Sequence, residues 1–293
     1  LNDIGGIMGA MKNISLMETH KLARFLAHQH RVLANIEVAA ADFLAHHPEI
    51  RHQSTIATAE VVVAIGSQRG FCGDFNQSLV QTMRRHWQPS PGQPASLVVV
   101  GRRLAAKLGR EPRICASFDG PSIAEEVEMV LERLMDALGE LQARQGGSGL
   151  LSIAVFAHRE GESEVSVRHL LPAPSVAPSA PRFAYPPLLN VAPTNFFTEL
   201  ARHYLWAQMH DVFYGSLMAE NRRRLQHMEG AMQRMDEKAG ELQRKYNLLR
   251  QEEITEEIEV IMLSNDALQR SRRTRTDADE RSHGKTVLAG HPH

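Results

Sequence analysis

The clearest pattern in this sequence is a seven-residue repeat of apolar side chains in its last third. Between residues 194 and 268, where no proline occurs, apolar positions recur at intervals of three and four: Leu225, Met228, Met232, Met235, Ala239, Leu242, Tyr246 and Leu249. This is the period of a helix that keeps one face against a partner helix. We therefore predict a long C-terminal helix whose charged residues, Arg222 and Arg223 among them, lie in water.

The repeat slips by one residue after Leu249, and the following apolar positions are Ile254, Ile258, Ile261 and Leu268. Such a discontinuity changes the local twist of a coiled coil and redirects its apolar face. Two interpretations remain open at this point. Either the helix changes its packing partner within the chain, or its last turns enter another protein.

A second helical pattern lies at the opposite end of the chain. Apolar residues keep helical spacing from Met11 to Phe43, and Pro48 ends the pattern. Two helices at the two ends of a sequence can pair only if the residues between them form a separate insert. The pattern therefore predicts an antiparallel coiled coil that carries a domain.

The middle of the chain alternates short apolar runs with amphipathic stretches. Strands are predicted at 61–65, 97–100, 114–117, 150–156 and 164–170. The predicted fold class is α/β, in which an antiparallel coiled coil of long N- and C-terminal helices carries an inserted Rossmann-like α/β domain. The expected organisation is an N-terminal helix (1–55), the α/β domain (56–171), a proline-rich connector (172–193), the C-terminal helix (194–268) and a disordered tail (269–293).

Composition narrows the possible partners of the chain. The formal net charge of its 293 residues is −1, with 33 Lys and Arg against 34 Asp and Glu, so we expect no nucleic-acid partner. No apolar run approaches the roughly 18 residues of a membrane span. The two cysteines, Cys72 and Cys115, do not form a metal or disulfide framework, which fits a reducing, cytoplasmic setting.

The turn that follows the first predicted strand is the candidate ligand site, because α/β proteins bind ligands there. It reads Gly-Ser-Gln-Arg-Gly-Phe-Cys-Gly-Asp-Phe-Asn over residues 66–76 and lacks the lysine of a phosphate loop. The spacing favours a tight turn in which Gly70 and Gly73 permit a backbone that a side chain would block. Cys72 has no evident base beside it, which favours a small buried thiol over a nucleophile. We expect no catalytic, cofactor-binding or metal-binding residues.

Two stretches of the chain resemble one known family. Residues 68–76 resemble the Asp-Arg-Gly-Leu-Cys-Gly-x-x-Asn signature of the gamma subunit of F-type ATP synthases, and residues 247–258 resemble its C-terminal Asn-x-x-Arg-Gln-x-x-Ile-Thr-x-Glu-Leu. Shorter matches at other positions follow in the family's order: Ile7, Ala10, Met11, Glu220, Arg224, Met228 and Ala231. Departures such as Ala219 in place of serine identify a divergent member, similar to the sodium-translocating N-type class.

The resemblance implies a role for the chain. In this family the terminal helices form the central-stalk shaft within a ring of three alpha and three beta subunits, and the α/β domain contacts the epsilon subunit and the membrane c-ring. The chain would be a non-catalytic subunit on the cytoplasmic face of the bacterial inner membrane, without a cofactor. The resemblance assigns the contact with the catalytic subunits to Gln251, Thr255 and Glu257. We add Arg250 to this contact because it is a polar neighbour that can also exchange hydrogen bonds there. Its motif residues in the α/β domain are Arg69, Gly70, Cys72, Gly73 and Asn76.

Two other functions remain open at this stage. One is a non-rotary coiled-coil scaffold with an α/β interaction head, and the other is a small α/β enzyme that its terminal helices dimerise. The choice between H⁺ and Na⁺ as coupling ion belongs to the membrane ring, and the shaft sequence does not decide between ATP synthesis and hydrolysis.

Overall fold

The computed structural model describes residues 2–51, 57–87, 95–144, 150–161, 164–171, 183 and 185–283. The chain forms two units, Leu1–Met232 and Gln233–His293. The first unit contains the whole sheet and all helices except the last part of the C-terminal one. The second unit contains the remainder of that C-terminal helix.

Two long helices form the ends of the chain. Helix α1 spans Asn2–His46, and Pro48 opens the short helix α2 (Pro48–Arg51), since proline suits the first position of a helix and cannot continue a preceding one. Helix α6 spans Pro193–His283. The alternation between them comprises β1 (Ala57–Ile65), α3 (Phe75–His86), β2 (Ala95–Val100), α4 (Arg102–Leu108), β3 (Ile114–Phe118), α5 (Val127–Arg144), β4 (Leu150–His158) and β5 (Val165–Leu171).

The five strands form one sheet in the order β3-β2-β1-β4-β5. The first four are parallel, and β5 runs antiparallel to β4 at the edge. The central strand β1 is apolar on both faces because helices cover both. Val61, Val63 and Ile65 belong to the apolar cluster shared with α1, α5 and α6, whereas Val62 and Ala64 belong to the cluster shared with α3 and α4.

The terminal helices pair antiparallel in the first unit. Lys12 is ion-paired with Glu229, Gln29 donates to the carbonyl oxygen of Ala207, and the rings of Phe43 and Phe196 lie tilted with centroids 5.0 Å apart. Residue numbers therefore rise along α1 as they fall along α6. Leu22 and Leu26 of α1 join Met209, Phe213 and Leu217 of α6 in the cluster under the sheet. Each such buried side chain contributes roughly 1.5–3 kcal/mol. The predicted coiled coil with an inserted α/β domain is confirmed.

Polar contacts add to this packing at one junction of three elements. Asp211 of α6, whose side chain is 6% exposed, accepts from Nη1 of Arg168 in β5 at 2.7 Å and contacts Nε2 of His30 in α1 at 2.9 Å. A buried carboxylate with two nitrogen partners recovers the hydrogen bonds that it loses to burial. The edge strand is thereby joined to both terminal helices.

The apolar repeat of α6 is covered in the first unit and open in the second. Met228 is fully buried, whereas the side chains of Leu242 and Leu249 are 57% and 64% exposed. A seven-residue repeat reports that one face of a helix is apolar, and it does not report what covers that face. In the described chain this face is therefore covered at Met228 and open to water at Leu242 and Leu249.

The other difference concerns the end of α6. The disordered tail predicted from residue 269 is wrong as far as His283, where the helix ends. Residues 269–283 contain neither Gly nor Pro, so their polar sequence is compatible with a helix. Residues 284–293 lie outside the described residues, as does most of the predicted proline-rich connector (172–193), of which residues 183 and 185–193 are described.

Candidate functional site

The glycine-rich turn lies at the carboxyl edge of the parallel strands, between β1 and α3. Its first glycine faces α4 closely, because a Cβ on Gly66 would lie 2.3 Å from the Cβ of Leu104 and 2.7 Å from Oδ1 of Asn76. Gly101, with a φ of 106°, would place a Cβ 2.5 Å from the carbonyl oxygen of Gly66. The space that holds a ligand in many α/β proteins is here filled by the chain itself.

Hydrogen bonds between side chain and backbone close the turn. The amide of the fully buried Ser67 donates to Oδ1 of Asn76 at 2.9 Å, and Nδ2 of Asn76 donates to Oγ of Ser67 at 2.7 Å. Oε1 of Gln68 accepts from the amides of Arg102 (3.0 Å) and Gly120 (2.9 Å). Gln68 therefore occupies the first amide of α4, and the carbonyl oxygen of Ser67 accepts from the second, that of Arg103, at 3.1 Å, so neither donor is free for an anion.

Cys72 is a buried thiol within this turn. Its Sγ donates to Oγ of Ser67 at 3.3 Å, and 5% of the residue is exposed. Burial raises the pKa of the Cys72 thiol, and the hydrogen bond with Ser67 opposes that shift only in part. Because the thiolate is the reactive form, this environment disfavours a nucleophile and favours a packing role.

The backbone conformation of the turn differs from the expectation at one glycine. Gly73 has a φ of 61°, as predicted for a residue that needs glycine, and a Cβ there would lie 3.6 Å from Cδ2 of His227. Gly70 does not have a positive φ. The next residue, Phe71, has a φ of 62° and an exposed side chain. The space for a side chain at Gly70 is limited by Arg103 instead, because a Cβ on Gly70 would lie 3.3 Å from Nη2 of Arg103.

A buried group on α6 binds the backbone of the turn. Arg224 pairs with Glu220, donates from Nη1 to Oδ1 of Asn221 at 2.9 Å, and donates from Nε to the carbonyl oxygen of Gly70 at 3.2 Å. Burial raises the pKa of Glu220, while Arg224 and backbone hydrogen bonds from Arg69 and Gln68 act in the opposite direction. Glu220 and Arg224 are each at least 95% buried, so the loss of either side chain would leave the other as an unpaired buried charge.

Two arginines beside Arg224, the exposed Arg222 and the half-buried Arg223, contact the turn after β4 and the glycine-rich turn of the α/β domain. Nη2 of Arg222 lies 2.6 Å from Oε1 of Glu160, which follows β4, and Arg223 pairs with Asp74, which precedes α3. We call these arginines and their acceptors the arginine collar: Arg222 with Glu160, Arg223 with Asp74, and Arg224 with the carbonyl oxygen of Gly70. Arg222 is exposed, as expected for a solvated face, whereas Arg223 is half-buried, and both are ion-paired to the α/β domain, which the sequence did not predict.

The collar brings together residues that lie far apart in the chain. The predicted residues Arg69, Gly70, Cys72, Gly73 and Asn76 all belong to the turn, and the structure adds Glu220 and Arg224, which carried part of the resemblance. Sequence reasoning missed Asp74, Glu160, Arg222 and Arg223. The run of three consecutive arginines could have indicated these contacts. Successive helix residues point about 100° apart, so the three side chains cannot share one face of the helix.

The second predicted site lies in the second unit. Arg250, Gln251, Thr255 and Glu257 are exposed on α6. Oγ1 of Thr255 donates to the carbonyl oxygen of Gln251 at 2.8 Å, one helical turn earlier. Apolar neighbours share this surface, with Ile258 52% and Ile261 65% exposed. An exposed mixture of apolar and polar side chains is typical of a surface that binds another protein.

Two negative findings concern the described residues alone. No helix among them is long and apolar enough to cross a membrane. In the same part of the chain, no three His, Cys, Asp or Glu side chains come together in a group that could hold a metal ion.

Comparison with known proteins identifies similar chains over most of the length. The model of a family described as ATP synthase matches residues 1–268. The chain is 27% identical to the ATP synthase gamma chain of Syntrophus aciditrophicus over 214 residues, which cover 71% of this chain and 72% of that protein. It is 25% identical to the ATP synthase gamma chain of Bdellovibrio bacteriovorus over 276 residues, which cover 88% of each.

Solved structures show the same fold at lower identity. A chain of the central stalk and c-ring structure of Tetrahymena thermophila mitochondrial ATP synthase matches with a TM-score of 0.51 and 15% identity, over 77% of this chain and 99% of that chain. A chain of Euglena gracilis mitochondrial ATP synthase matches with a TM-score of 0.51 and 12% identity, over 90% and 96%. These matches show that the fold of this chain, two long terminal helices with an inserted mixed sheet, is similar to that of both solved chains.

Proposed function

This chain belongs to the ATP synthase family, with gamma chains as its relatives, and from that premise we propose that it is the central-stalk gamma subunit of a rotary F-type ATP synthase. In this role it turns within a ring of alpha and beta subunits and couples ion flow through a membrane c-ring to ATP synthesis or hydrolysis. The chain itself is non-catalytic, and the nucleotide chemistry takes place on its partners.

The observation that carries this proposal is the exposed stretch of α6 in the second unit. Its apolar repeat continues for many turns with large side chains in water, among them Leu249, Ile254 and Ile261. Exposing such side chains costs solubility without a folding benefit, so their pattern supports a surface made for another protein. The family supplies the identity of that protein, the alpha and beta ring.

The proposed action is a bias on the conformations of the catalytic subunits. A shaft that presents different side chains at different angles makes different contacts with each subunit around it, and such differential contacts shift a conformational equilibrium. Arg250, Gln251, Thr255 and Glu257 suit this contact, because polar side chains on an exposed helix can exchange one hydrogen-bond partner for another as the shaft turns.

The α/β domain has a different proposed set of partners. It would bind the epsilon subunit and the c-ring, as the family resemblance implies, which makes the chain a peripheral subunit at the cytoplasmic face of the bacterial inner membrane. The coupling ion, H⁺ or Na⁺, is selected by the c-ring rather than by this chain.

Co-purification tests the proposed function. The full chain, tagged after His293, is expressed with the genes of its alpha, beta and epsilon neighbours, and the purified assembly is assayed for ATP hydrolysis. We expect the alpha and beta chains to elute with it in threefold excess and the assembly to hydrolyse ATP. A solitary or homodimeric chain would support the static scaffold instead, and ligand turnover by the isolated chain would support the small enzyme.

A further inference from the structure

We propose that the arginine collar is the joint that prevents the α/β domain from rotating about the axis of α6 under load. The inference rests on the proposed rotor function and names the residues through which the α/β domain and α6 would pass torque to each other. The collar comprises Arg222 with Glu160, Arg223 with Asp74, and Arg224 with the carbonyl oxygen of Gly70.

The angular spread of the collar is the first argument. Consecutive helix residues point about 100° apart, so three consecutive arginines span about 200° around α6. Their acceptors come from two segments of the α/β domain: Glu160 lies in the turn after β4, while Asp74 and Gly70 lie in the glycine-rich turn after β1. Contacts on one side of a helix oppose rotation in one sense, whereas contacts spread around it oppose rotation in both senses.

The second argument is that apolar packing alone does not provide this resistance. Met209, Phe213 and Leu217 of α6 belong to the cluster beneath the sheet and hold the two elements together. Hydrophobic attraction is non-directional, so it opposes separation more strongly than it opposes rolling of one surface over another. Hydrogen bonds and ion pairs weaken steeply when their angles change, and the collar supplies that directional component around α6, in addition to the single pair of Asp211 with Arg168 of β5.

The third argument concerns the buried end of the collar. Arg224 is held by Glu220 and Asn221 on its own helix, and it donates to the backbone of the turn rather than to a side chain. The planar guanidinium fixes several donors in one geometry, unlike the flexible ammonium of lysine. The backbone of Gln68 and Arg69 is bonded in turn to Glu220. This end of the joint therefore contains little side-chain freedom, as a torque-bearing contact requires.

Arg222 and Arg223 provide the test, because their loss leaves the buried group intact. The assembled complex in membrane vesicles is compared with one that carries R222E and R223E, and ATP-driven ion uptake is divided by ATP hydrolysis. Exposed ion pairs contribute little to stability, so the variant is expected to fold, assemble and hydrolyse ATP. We expect the ratio of uptake to hydrolysis to fall clearly below that of the unmodified complex, because the α/β domain can then turn about α6 while the partner subunits still hydrolyse ATP.

A matched control separates the collar from a general effect of charge. The double variant R144E and R202E makes the same change in formal charge, but it breaks the exposed pairs Arg144–Glu140 and Arg202–Glu199, each within a single helix. We expect its ratio to equal that of the unmodified complex. Exchange of one collar pair, with E160R added to R222E, is expected to restore most of the ratio that R222E alone loses.

The outcomes distinguish the two proposals. If the unmodified chain does not assemble with the alpha and beta subunits, the proposed function fails and the collar's torque role fails with it. If the unmodified complex pumps ions and the collar variant keeps the same ratio as the control, the collar proposal alone is overturned. Should R222E and R223E prevent assembly, R222Q and R223Q remove the same pairs without adding acidic groups, and the same comparison decides.

Discussion

Two regions of α6 carry motif residues of the family, and their environments are opposite. At Glu220 and Arg224, in the first unit, the side chains are buried and bonded to the glycine-rich turn. At Gln251 and Glu257, in the second unit, they are exposed. The difference teaches that a family motif does not by itself identify a partner surface. The first region holds the chain together, and the second is available to another protein.

The largest expected effect on stability comes from removing the buried arginine. R224M leaves the Glu220 carboxylate buried without its cation, which costs about 3 to 5 kcal/mol. R250M, the same change at the exposed motif arginine, is expected to lie within about 0.5 kcal/mol of the unmodified chain. Urea unfolding of the full-length chains measures both. Equal losses in the two variants would remove the distinction between the two regions.

The next effect tests the glycine-rich turn through its backbone. G73A forces a side chain onto a φ of 61°, where an L-residue is destabilised by about 1 to 2 kcal/mol. G139A in helix α5, where a Cβ would meet nothing within 4 Å, is expected to stabilise the chain by about 0.5 to 1 kcal/mol. Thermal and urea unfolding give the sign of each change. A stabilising G73A would show that the turn does not need its left-handed residue.

A pH dependence is expected from His158, which packs beneath the turn. It stacks on Phe75 with ring centroids 4.1 Å apart, and its Nε2 lies 2.8 Å from the carbonyl oxygen of Phe75. Burial lowers the pKa of His158 from its ordinary value of 6.5. The unfolded chain therefore binds this proton at higher pH than the folded chain does, so the stability that neutral His158 provides is complete above pH 6.5 and declines as the pH falls below it.

The measurement is the free energy of unfolding at pH 7.5 and at pH 5.5. The unmodified chain is expected to lose more stability than H158N between these two values, because only the unmodified chain carries the histidine whose pKa burial lowers. H203N, which replaces an exposed histidine of α6, serves as the control and should follow the unmodified chain. An H158N variant with the full pH dependence would assign that dependence to other groups.

The smallest expected effect on stability belongs to the exposed region. Q251A and E257A should change the unfolding free energy of the isolated chain by less than about 0.5 kcal/mol, because neither side chain is buried. In the assembled complex, both are expected to weaken assembly and ATP-driven pumping while the partner subunits still bind nucleotide. Q243A, on the same helix and also exposed, is the control. Unchanged pumping in both variants would contradict the proposed contact.

Local patterns predicted the elements of this protein well. The apolar run at 61–65 forms the second half of β1, and the helical spacing up to Phe43 belongs to α1, which ends at His46 before Pro48. These features depend on side-chain period and on the conformational limits of proline, which act over a few residues. The apolar repeat likewise predicted the course of α6, although it could not show where a partner helix covers it.

The candidate site was predictable only in part. The glycines and Asn76 are adjacent in sequence, so the turn was visible as a motif. The pairs that join it to α6 connect Arg223 with Asp74 and Arg224 with Gly70, at separations of 149 and 154 residues. No period or spacing along the chain encodes such a separation, and an arginine on a helix has the same local pattern whether it faces water or a distant carboxylate.

By itself the sequence determined the two terminal helices, the α/β alternation between them and, through its motifs, the family. Only the tertiary structure decided the strand order β3-β2-β1-β4-β5, the antiparallel edge strand, the burial of Glu220 with Arg224 and the exposure of α6 over residues 236–268. The physical reason is that helix and strand formation respond to neighbouring residues, whereas strand order, ion pairing and burial depend on which distant surfaces meet.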